Sequence, residues 1–197
     1  MGGTTGAQLD QWCRSHRVKG FLGVFCSNNM PEISAEQRRG DGACFVVNHS
    51  PCDSPSGGSH WLGCRVRGDV AFWFDSFGLP PDAPLENELM GAPSDPPPHF
   101  AQWISEQGVT ETRYNDRDVQ SVGSDVCGEY ASYFCKHGLP QQNRLAWRFL
   151  SSNLTQNDRT IAKLVRVQSP TITPRKRKAG DAHALSSMPR KPRGARV

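Results

Sequence analysis

Cys127 is the residue whose surroundings in the sequence most favour chemistry at a side chain. It follows a short loop with a glycine, residues 121–125, and precedes an amphipathic segment that Gly138 and Pro140 terminate. We therefore expect its thiol at a helix N-terminus, where the helix dipole and the free N–H groups favour the reactive thiolate. A cysteine in this position alone is more often a small buried hydrophobic residue, so the prediction depends on a partner base.

His60 and Asp75 are the candidate base and the carboxylate that orients it. His60 stands at the start of one predicted strand, and Asp75 at the end of the next. If the two strands pair as an antiparallel hairpin, both side chains emerge at the same end of it. A carboxylate there can accept from one imidazole nitrogen and fix the tautomer, which leaves the other nitrogen for an ion pair with a thiolate. Taken singly, each has an ordinary alternative, a partly buried histidine and a turn aspartate.

Gln120, seven residues before Cys127, completes the candidate site. Its side-chain amide can donate a hydrogen bond to a developing oxyanion, with the backbone N–H of Cys127 as the second donor. Gln120 alone carries no information. Together with His60 and Asp75, it predicts nucleophilic catalysis at a thiol.

The other cysteines suggest two further interpretations, a zinc site and a set of disulfides. Cys44, Cys52, His60 and Cys64 could supply four zinc ligands, but their spacings contain no Cys-x2-Cys pair. We therefore predict no metal site. The seven cysteines are an odd number without regular spacing, in a chain without a secretion signal, so we also predict that disulfides do not hold the fold together.

Short apolar segments predict the strands that must position these residues. Aromatic and β-branched content and borders of Gly or Pro are typical of strands, and they occur over 43–47, 61–66 and 70–74, with an alternating segment over 109–114. Between the two halves of the chain, residues 79–98 contain seven prolines and predict a loop.

Helical spacing of apolar residues predicts the remaining elements. It occurs over 7–17, with Leu9, Trp12 and Cys13 inward, over 100–107, after Cys127, and at least in part over 145–167. Strands followed by one prominent helix, without repeated strand–helix alternation, favour an α+β fold over a doubly wound parallel sheet.

The charge distribution divides the chain into a body and a tail. A chain of 197 residues fits one domain, and we assign residues 1–167 to it. Residues 168–197 carry eight of the 23 Lys and Arg residues but one of the 19 acids, and they have no period that could bury a face, so we predict a disordered basic tail. No apolar stretch approaches the roughly 20 residues of a membrane helix. Without a signal peptide, we expect the cytosol or the nucleus.

The tail predicts contact with nucleic acid. Its cations can displace counterions from a phosphate backbone, so binding would not depend on base sequence. Its densest cluster is Arg175, Lys176, Arg177 and Lys178, which equally suits a nuclear import signal. The alternative is a solvated tail that aids solubility.

Five motifs resemble the adenovirus protease (adenain) family, within the wider clan of cysteine peptidases that includes the SUMO-specific proteases. The motifs are Phe21-Leu22-Gly23, Ala43-Cys44-Phe45-Val46-Val47-Asn48, Gly57-Gly58-Ser59-His60-Trp61, Phe74-Asp75-Ser76-Phe77-Gly78, and Gln120 with Cys127-Gly128. The resemblance spans residues 18–140, and the chain order His, Asp, Gln, Cys is specific to it, because papain-like enzymes place Gln and Cys before the His.

The resemblance implies an α+β peptidase fold, with a central mixed sheet flanked by helices and the nucleophile at a helix N-terminus. It implies His60 as general base and later acid, Cys127 as nucleophile, Asp75 as the group that orients His60, and Gln120 in the oxyanion hole. It also implies a viral endopeptidase of the host nucleus and the virion, which cleaves capsid and core precursor proteins near glycine during maturation and uses DNA as a cofactor.

Two departures from the family pattern concern kinship and regulation. Adenovirus enzymes usually carry Glu where this chain has Asp75, and Asp is the choice of the wider clan. Adenovirus proteases are also tethered by a disulfide to an activating peptide. The matching position here is Val109, and no cysteine occurs between Cys64 and Cys127. We expect no covalent tether, but a peptide could still add a strand along residues 109–114.

Three functions therefore compete at this stage. The first is a viral maturation endopeptidase, and the second is a peptidase that deconjugates ubiquitin-like proteins with the same site. The third, a noncatalytic DNA-packaging protein, explains the tail but gives no reason for the four candidate residues in their order. We expect a monomer without membrane contact.

Overall fold

A five-stranded mixed sheet flanked by helices forms the body of the protein. The computed structural model describes residues 4–54, 60–83 and 99–166. Over these ranges the elements are α1 (Gly6–Ser15), β1 (Phe21–Cys26), β2 (Ala43–Asn48), β3 (Trp61–Arg67), β4 (Val70–Phe74), α2 (Phe100–Glu106), β5 (Glu111–Tyr114), α3 (Cys127–His137) and α4 (Leu154–Arg166). The predicted α+β class is confirmed. The basic tail and most of the proline-rich loop, residues 84–98, lie outside the described residues.

The strands follow one another across the sheet in chain order, β1-β2-β3-β4-β5. The two outer pairs, β1 with β2 and β4 with β5, are parallel, and the two inner pairs are antiparallel. β3 and β4 form the predicted hairpin, turned by Gly68 at φ 61° and Asp69. Gly63 pairs with Phe74. His60 lies three residues before Gly63 and Asp75 directly follows Phe74, so the two residues lie at the same end of the sheet.

The sheet is buried on both faces, and β2 shows this most clearly because all six of its residues are buried. Alternate side chains point to opposite faces: Cys44 and Val46 pack with α1, α3 and α4, whereas Phe45 and Val47 pack with α2. α3 approaches the sheet closely because β3 has a glycine beneath it, Gly63, where any side chain would collide with Phe134. No helix of the described segments is long and apolar enough to span a bilayer.

The helix predicted over 7–17 is confirmed as α1, and the three residues predicted to face inward, Leu9, Trp12 and Cys13, are buried. Its N-terminus carries a capping box, in which the Thr5 hydroxyl accepts from the Gln8 N–H and the Gln8 side chain accepts from the Thr5 N–H. The cap fixes where the helix begins, and this places Leu9 under the start of α3.

The prediction of a helix over 145–167 is correct only for its second half. Leu145 is 75% exposed, and Trp147 is buried within a series of turns, where its indole N–H donates to the Gly138 carbonyl. α4 begins only at Leu154, because the Asn153 side chain accepts from the Gln156 N–H and caps the helix there. β1 was not predicted, since its residues lack a polar–apolar alternation.

A disulfide joins Cys26 and Cys52, against the prediction that disulfides do not hold the fold together. The parallel pairing of β1 with β2 brings the end of β1 beside the loop that follows β2, and the Ser27 N–H donates to the Ser50 carbonyl there. The Asn28 side chain accepts from the Cys52 N–H at 2.9 Å. The two thiols meet through the fold, which the spacing of cysteines in the sequence does not show.

Candidate active site

Cys127 is the first residue of α3, and its side chain is partly exposed. The preceding residue, Val126, makes no side-chain capping hydrogen bond, so the first N–H groups of the helix keep their capacity to bind an anion. The helix dipole adds to this and favours the thiolate. All seven cysteines lie in the described ranges, and of the five free ones only Cys127 is not buried.

The start of α3 sits against the start of β3. A Cβ added at Gly128 would lie 3.0 Å from Leu9 of α1 and 3.2 Å from Trp61 of β3, so the helix could not approach as closely with a larger residue there. His60 immediately precedes Trp61. The packing of α3 on the sheet therefore brings the N-terminus of α3 close to His60, the predicted base for Cys127.

His60 and Asp75 form the predicted pair. The imidazole Nε2 lies 2.9 Å from Asp75 Oδ1, and the two residues are only 1% and 3% exposed. The same carboxylate oxygen accepts from the Phe77 N–H at 2.8 Å, and the Phe77 ring stacks on the imidazole with centroids 4.9 Å apart. These contacts fix the carboxylate and the plane of the imidazole ring.

The second imidazole nitrogen, Nδ1, is left for the thiol. It is buried, and within the described part of the chain it makes no hydrogen bond of ordinary distance and angle. Burial lowers the pKa of His60. The charge and the hydrogen bond of Asp75, and after them Cys127, together raise this pKa by more than burial lowers it, to about 10. At neutral pH the imidazolium is therefore the favoured form, which is the form that stabilises a neighbouring thiolate.

Asn115 holds the backbone of Asp75, a role for which the sequence contains no local signal. Its side-chain oxygen accepts from the Asp75 N–H at 3.0 Å, and its amide group donates to the Asp75 carbonyl at 2.5 Å. Asn115 directly follows β5 and is 2% exposed. It thus ties the ends of the parallel strands β4 and β5 together at the carboxylate.

Gln120 is buried beside the residue that follows Asp75. The Ser76 hydroxyl donates to Gln120 Oε1 at 2.7 Å, and Gln120 Nε2 donates to the Ser124 carbonyl at 2.7 Å. Sequence reasoning assigned Ser76 no role, although it quoted the residue within the motif around Asp75. Only contacts over a separation of 44 residues reveal it.

The structure therefore brings His60, Asp75 and Cys127 together, and it places Gln120 in the turn that leads to Cys127. This arrangement has an orientable base, a thiol at a helix N-terminus and two candidate oxyanion donors, and such an arrangement can perform acyl transfer.

The N-terminal segment closes one side of this region. The Trp61 indole N–H donates to the Thr4 carbonyl at 3.0 Å, and the Thr4 hydroxyl donates to Glu129 at 2.8 Å. Trp61 follows His60, and Glu129 lies in the first turn of α3. Thr4 thus connects the strand that carries the base to the helix that carries the thiol.

The residues of the zinc alternative do not share a site. Cys52 is in the disulfide, His60 is paired with Asp75, and the Cys44 thiol donates to the Lys19 carbonyl. Across the described ranges, no group of three or more His, Cys, Asp or Glu side chains is arranged to hold a metal ion. The candidate DNA contacts, Arg175 to Lys178, lie beyond the residues that the structure describes.

Comparison with known proteins finds similarity only at the level of solved structures. No family model matches the chain, and no curated protein matches it. ChlaDub1 from Chlamydia trachomatis is similar at 13% identity and a TM-score of 0.49, over 85% of this chain and 91% of ChlaDub1. The ASFV pS273R protease is similar at 14% identity and a TM-score of 0.43, over 84% of this chain and 68% of the protease. At these TM-scores the likeness carries no argument, so the function proposed below rests on the site.

Proposed function

We propose that the protein is a cysteine peptidase with Cys127 as nucleophile. The observation that carries this proposal is the fully buried His60–Asp75 pair beside a partly exposed thiol at a helix N-terminus. An imidazolium and a helix N-terminus are the groups that assist attack by a thiol, and the other four free cysteines of the described residues are buried.

The first half of the reaction forms an acyl-enzyme. The Cys127 thiolate attacks the carbonyl carbon of the scissile peptide bond, and the carbonyl oxygen becomes an oxyanion. The Gln120 amide and the Cys127 N–H are the donors that stabilise it. The His60 imidazolium then gives its proton to the leaving amine as the tetrahedral intermediate collapses.

The second half hydrolyses the thioester. Neutral His60 takes a proton from water as the water attacks the acyl carbon. The imidazolium keeps this proton while Cys127 leaves as the thiolate, which restores the thiolate–imidazolium pair. Asp75 keeps Nε2 as the donor nitrogen throughout, so Nδ1 alone exchanges the proton.

We propose a viral endopeptidase as the biological form of this activity, with capsid and core precursor proteins as substrates, cut near glycine in the host nucleus and the virion. The motifs of the sequence support this assignment. A peptidase that removes ubiquitin-like proteins would use the same four residues, and it is the second candidate. The geometry of the site fits both equally well.

An activating peptide could bind along β5 without a disulfide. β5 is an outer strand of the sheet, and its four residues, Glu111–Tyr114, are all exposed. It is parallel to β4, which ends at Asp75. A peptide paired along β5 would therefore lie two strands from the carboxylate, and main-chain hydrogen bonds would supply the affinity.

DNA is the proposed second partner, with the monomeric protein bound through its tail. What supports this proposal is the excess of cations in residues 168–197, which hold eight Lys or Arg residues and one acid.

The test compares the wild-type protein with Cys127→Ala and with Cys13→Ala, a control that removes a buried thiol instead. Each is incubated with glycine-containing precursor peptides and with ubiquitin-like precursors, with and without DNA. We expect cleavage by the wild type and the control but not by Cys127→Ala, and the preferred substrate distinguishes the two candidates. Cleavage that survives in Cys127→Ala, or a wild type inactive on every substrate, would overturn the proposal.

A further inference from the structure

We propose that Ser76 is a positioning residue, whose hydroxyl sets the Gln120 amide so that an N–H faces the oxyanion. The inference rests on the proposed function, because it concerns the same site. Ser76 is completely buried, and it links the residue that orients the base to the candidate oxyanion donor. It follows Asp75 in the chain, and its hydroxyl hydrogen-bonds the Gln120 side chain.

A glutamine can stabilise an oxyanion only in one of its two orientations. Its amide oxygen and nitrogen are nearly equal in size, so a flip about the last torsion costs little unless hydrogen bonds oppose it. Flipped, the amide would present an oxygen to the oxyanion and repel it. The site therefore needs groups that distinguish the two ends of the amide.

One neighbour makes this distinction at Gln120, and a second holds the amide in place. The Ser124 carbonyl can only accept a hydrogen bond, so it requires Nε2 on its side, at 2.7 Å. The Ser76 hydroxyl donates to Oε1 at 2.7 Å and occupies the other end. Of the two Nε2 hydrogens, one is used by Ser124, and the second is left for the oxyanion.

Ser76 also fixes the main chain that carries Gln120. Its carbonyl accepts from the Val119 N–H at 2.8 Å and from the Gln120 N–H at 3.2 Å. The turn around Ser76 is itself rigid, because the Gly78 N–H donates to the Asp75 carbonyl and Gly78 has a φ of 73°. The carboxylate that orients the base and the hydroxyl that orients the amide thus stand on one short turn.

The Ser76→Ala substitution tests the proposal. It leaves Oε1 buried without a donor, so the amide is no longer held at both ends, and we expect kcat to fall by roughly tenfold with KM unchanged. In a Gln120→Ala background the same substitution should have no further effect on kcat, because there is no amide left to orient. Ser76→Thr, which keeps the hydroxyl, should retain most of the activity.

Ser132→Ala is the matched control, since Ser132 is equally buried but lies within α3 and has no hydrogen bond to Gln120. Its kcat should equal that of the wild type. A wild-type kcat in Ser76→Ala, or an equal loss in the presence and absence of Gln120, would overturn the positioning role. If Ser76→Ala unfolds, the Ser76→Thr variant and its Ser76→Cys counterpart, whose thiol is a weak donor, carry the same comparison.

NMR of the Gln120 side-chain amide separates this inference from the proposed function. We expect the two Gln120 side-chain N–H signals to shift in Ser76→Ala and to exchange with solvent faster than in the wild-type protein. This readout needs no substrate. A wild type without peptidase activity would contradict the proposed function alone, whereas identical amide signals in both proteins would contradict the role of Ser76.

Discussion

The thiol at the start of α3 and the thiols of the core have opposite surroundings. Cys127 is partly exposed and adjoins the His60 imidazole. Cys13, Cys64 and Cys135 are completely buried, and burial raises the pKa of Cys13 to about 12 and those of Cys64 and Cys135 well above their ordinary value. The same side chain is thus a candidate nucleophile in one region and an inert packing group in the other.

Cys44 shows that acidity alone does not make a thiol reactive. A hydrogen bond from Cys135 lowers the pKa of Cys44, although burial opposes this. Both side chains are nevertheless 0% exposed within the core. A substrate cannot reach Cys44, so access and a base, together with the pKa, decide which cysteine can act.

Replacement of His60, the candidate base, should have the largest effect on the reactivity that distinguishes Cys127 from the buried thiols. In His60→Ala, Cys127 loses its imidazolium partner and the proton donor for the leaving group, so we expect kcat to fall by roughly 10³- to 10⁴-fold. Steady-state kinetics on the preferred peptide measures this. Circular dichroism should remain that of the wild type, and a loss below tenfold in a folded variant would contradict the role of His60.

Asp75→Asn should shift the pH dependence. Asp75 raises the pKa of His60, which reaches about 10 from an ordinary 6.5, so the variant should lose its imidazolium at lower pH, and the alkaline limb of kcat should move down by more than one pH unit. A raised histidine pKa stabilises the fold fully below pH 6.5, and this contribution is lost as the pH rises towards 10. The stability difference between wild type and variant should therefore shrink from pH 6.5 to 10 in urea unfolding. An unchanged alkaline limb would be evidence against the pair.

The bridged cysteines should affect stability and leave the chemistry intact. The Cys26–Cys52 disulfide closes a loop over a sequence separation of 26, so Cys52→Ser should lower the free energy of unfolding by about 3 kcal/mol. Urea unfolding without reductant measures this loss. Addition of a dithiol reductant should bring the wild type to the stability of the variant, and equal stability of the two under oxidising conditions would refute the bridge.

Cys64→Ala should have the smallest effect. It removes one sulfur from the core between β3 and α2, and we expect a loss of about 1–2 kcal/mol in unfolding free energy, with kcat of the folded protein unchanged. Thermal unfolding and kinetics on the same sample measure both quantities. A large loss of kcat without a loss of stability would break the distinction between core and site thiols.

The sequence was sufficient for those parts of the site that depend on local pattern. The β3–β4 hairpin follows from two short apolar segments, and it alone brings His60 and Asp75 to one end. The start of α3 at Cys127 follows from the preceding loop and the amphipathic pattern after it. Both predictions depend on residues close in the chain, where spacing reports geometry directly.

The parts that the sequence did not predict depend on distant contacts. Ser76 meets Gln120 over 44 residues, and Asn115 meets Asp75 over 40, so neither has a local signal. The Cys26–Cys52 bridge requires the parallel pairing of β1 with β2, and β1 itself lacks the alternation that marks a strand. The first turns after Leu145 resemble a helix in spacing, but the Asn153 cap starts α4 later.

The rate of Cys127 alkylation by iodoacetamide in the wild type and in His60→Ala tests the pairing of thiol and imidazole most directly. The reagent is neutral and needs no substrate. We predict that at neutral pH Cys127 is alkylated at least tenfold faster in the wild type than in the folded His60→Ala variant, because the imidazolium assists the thiol. Equal rates in the two proteins would contradict the account.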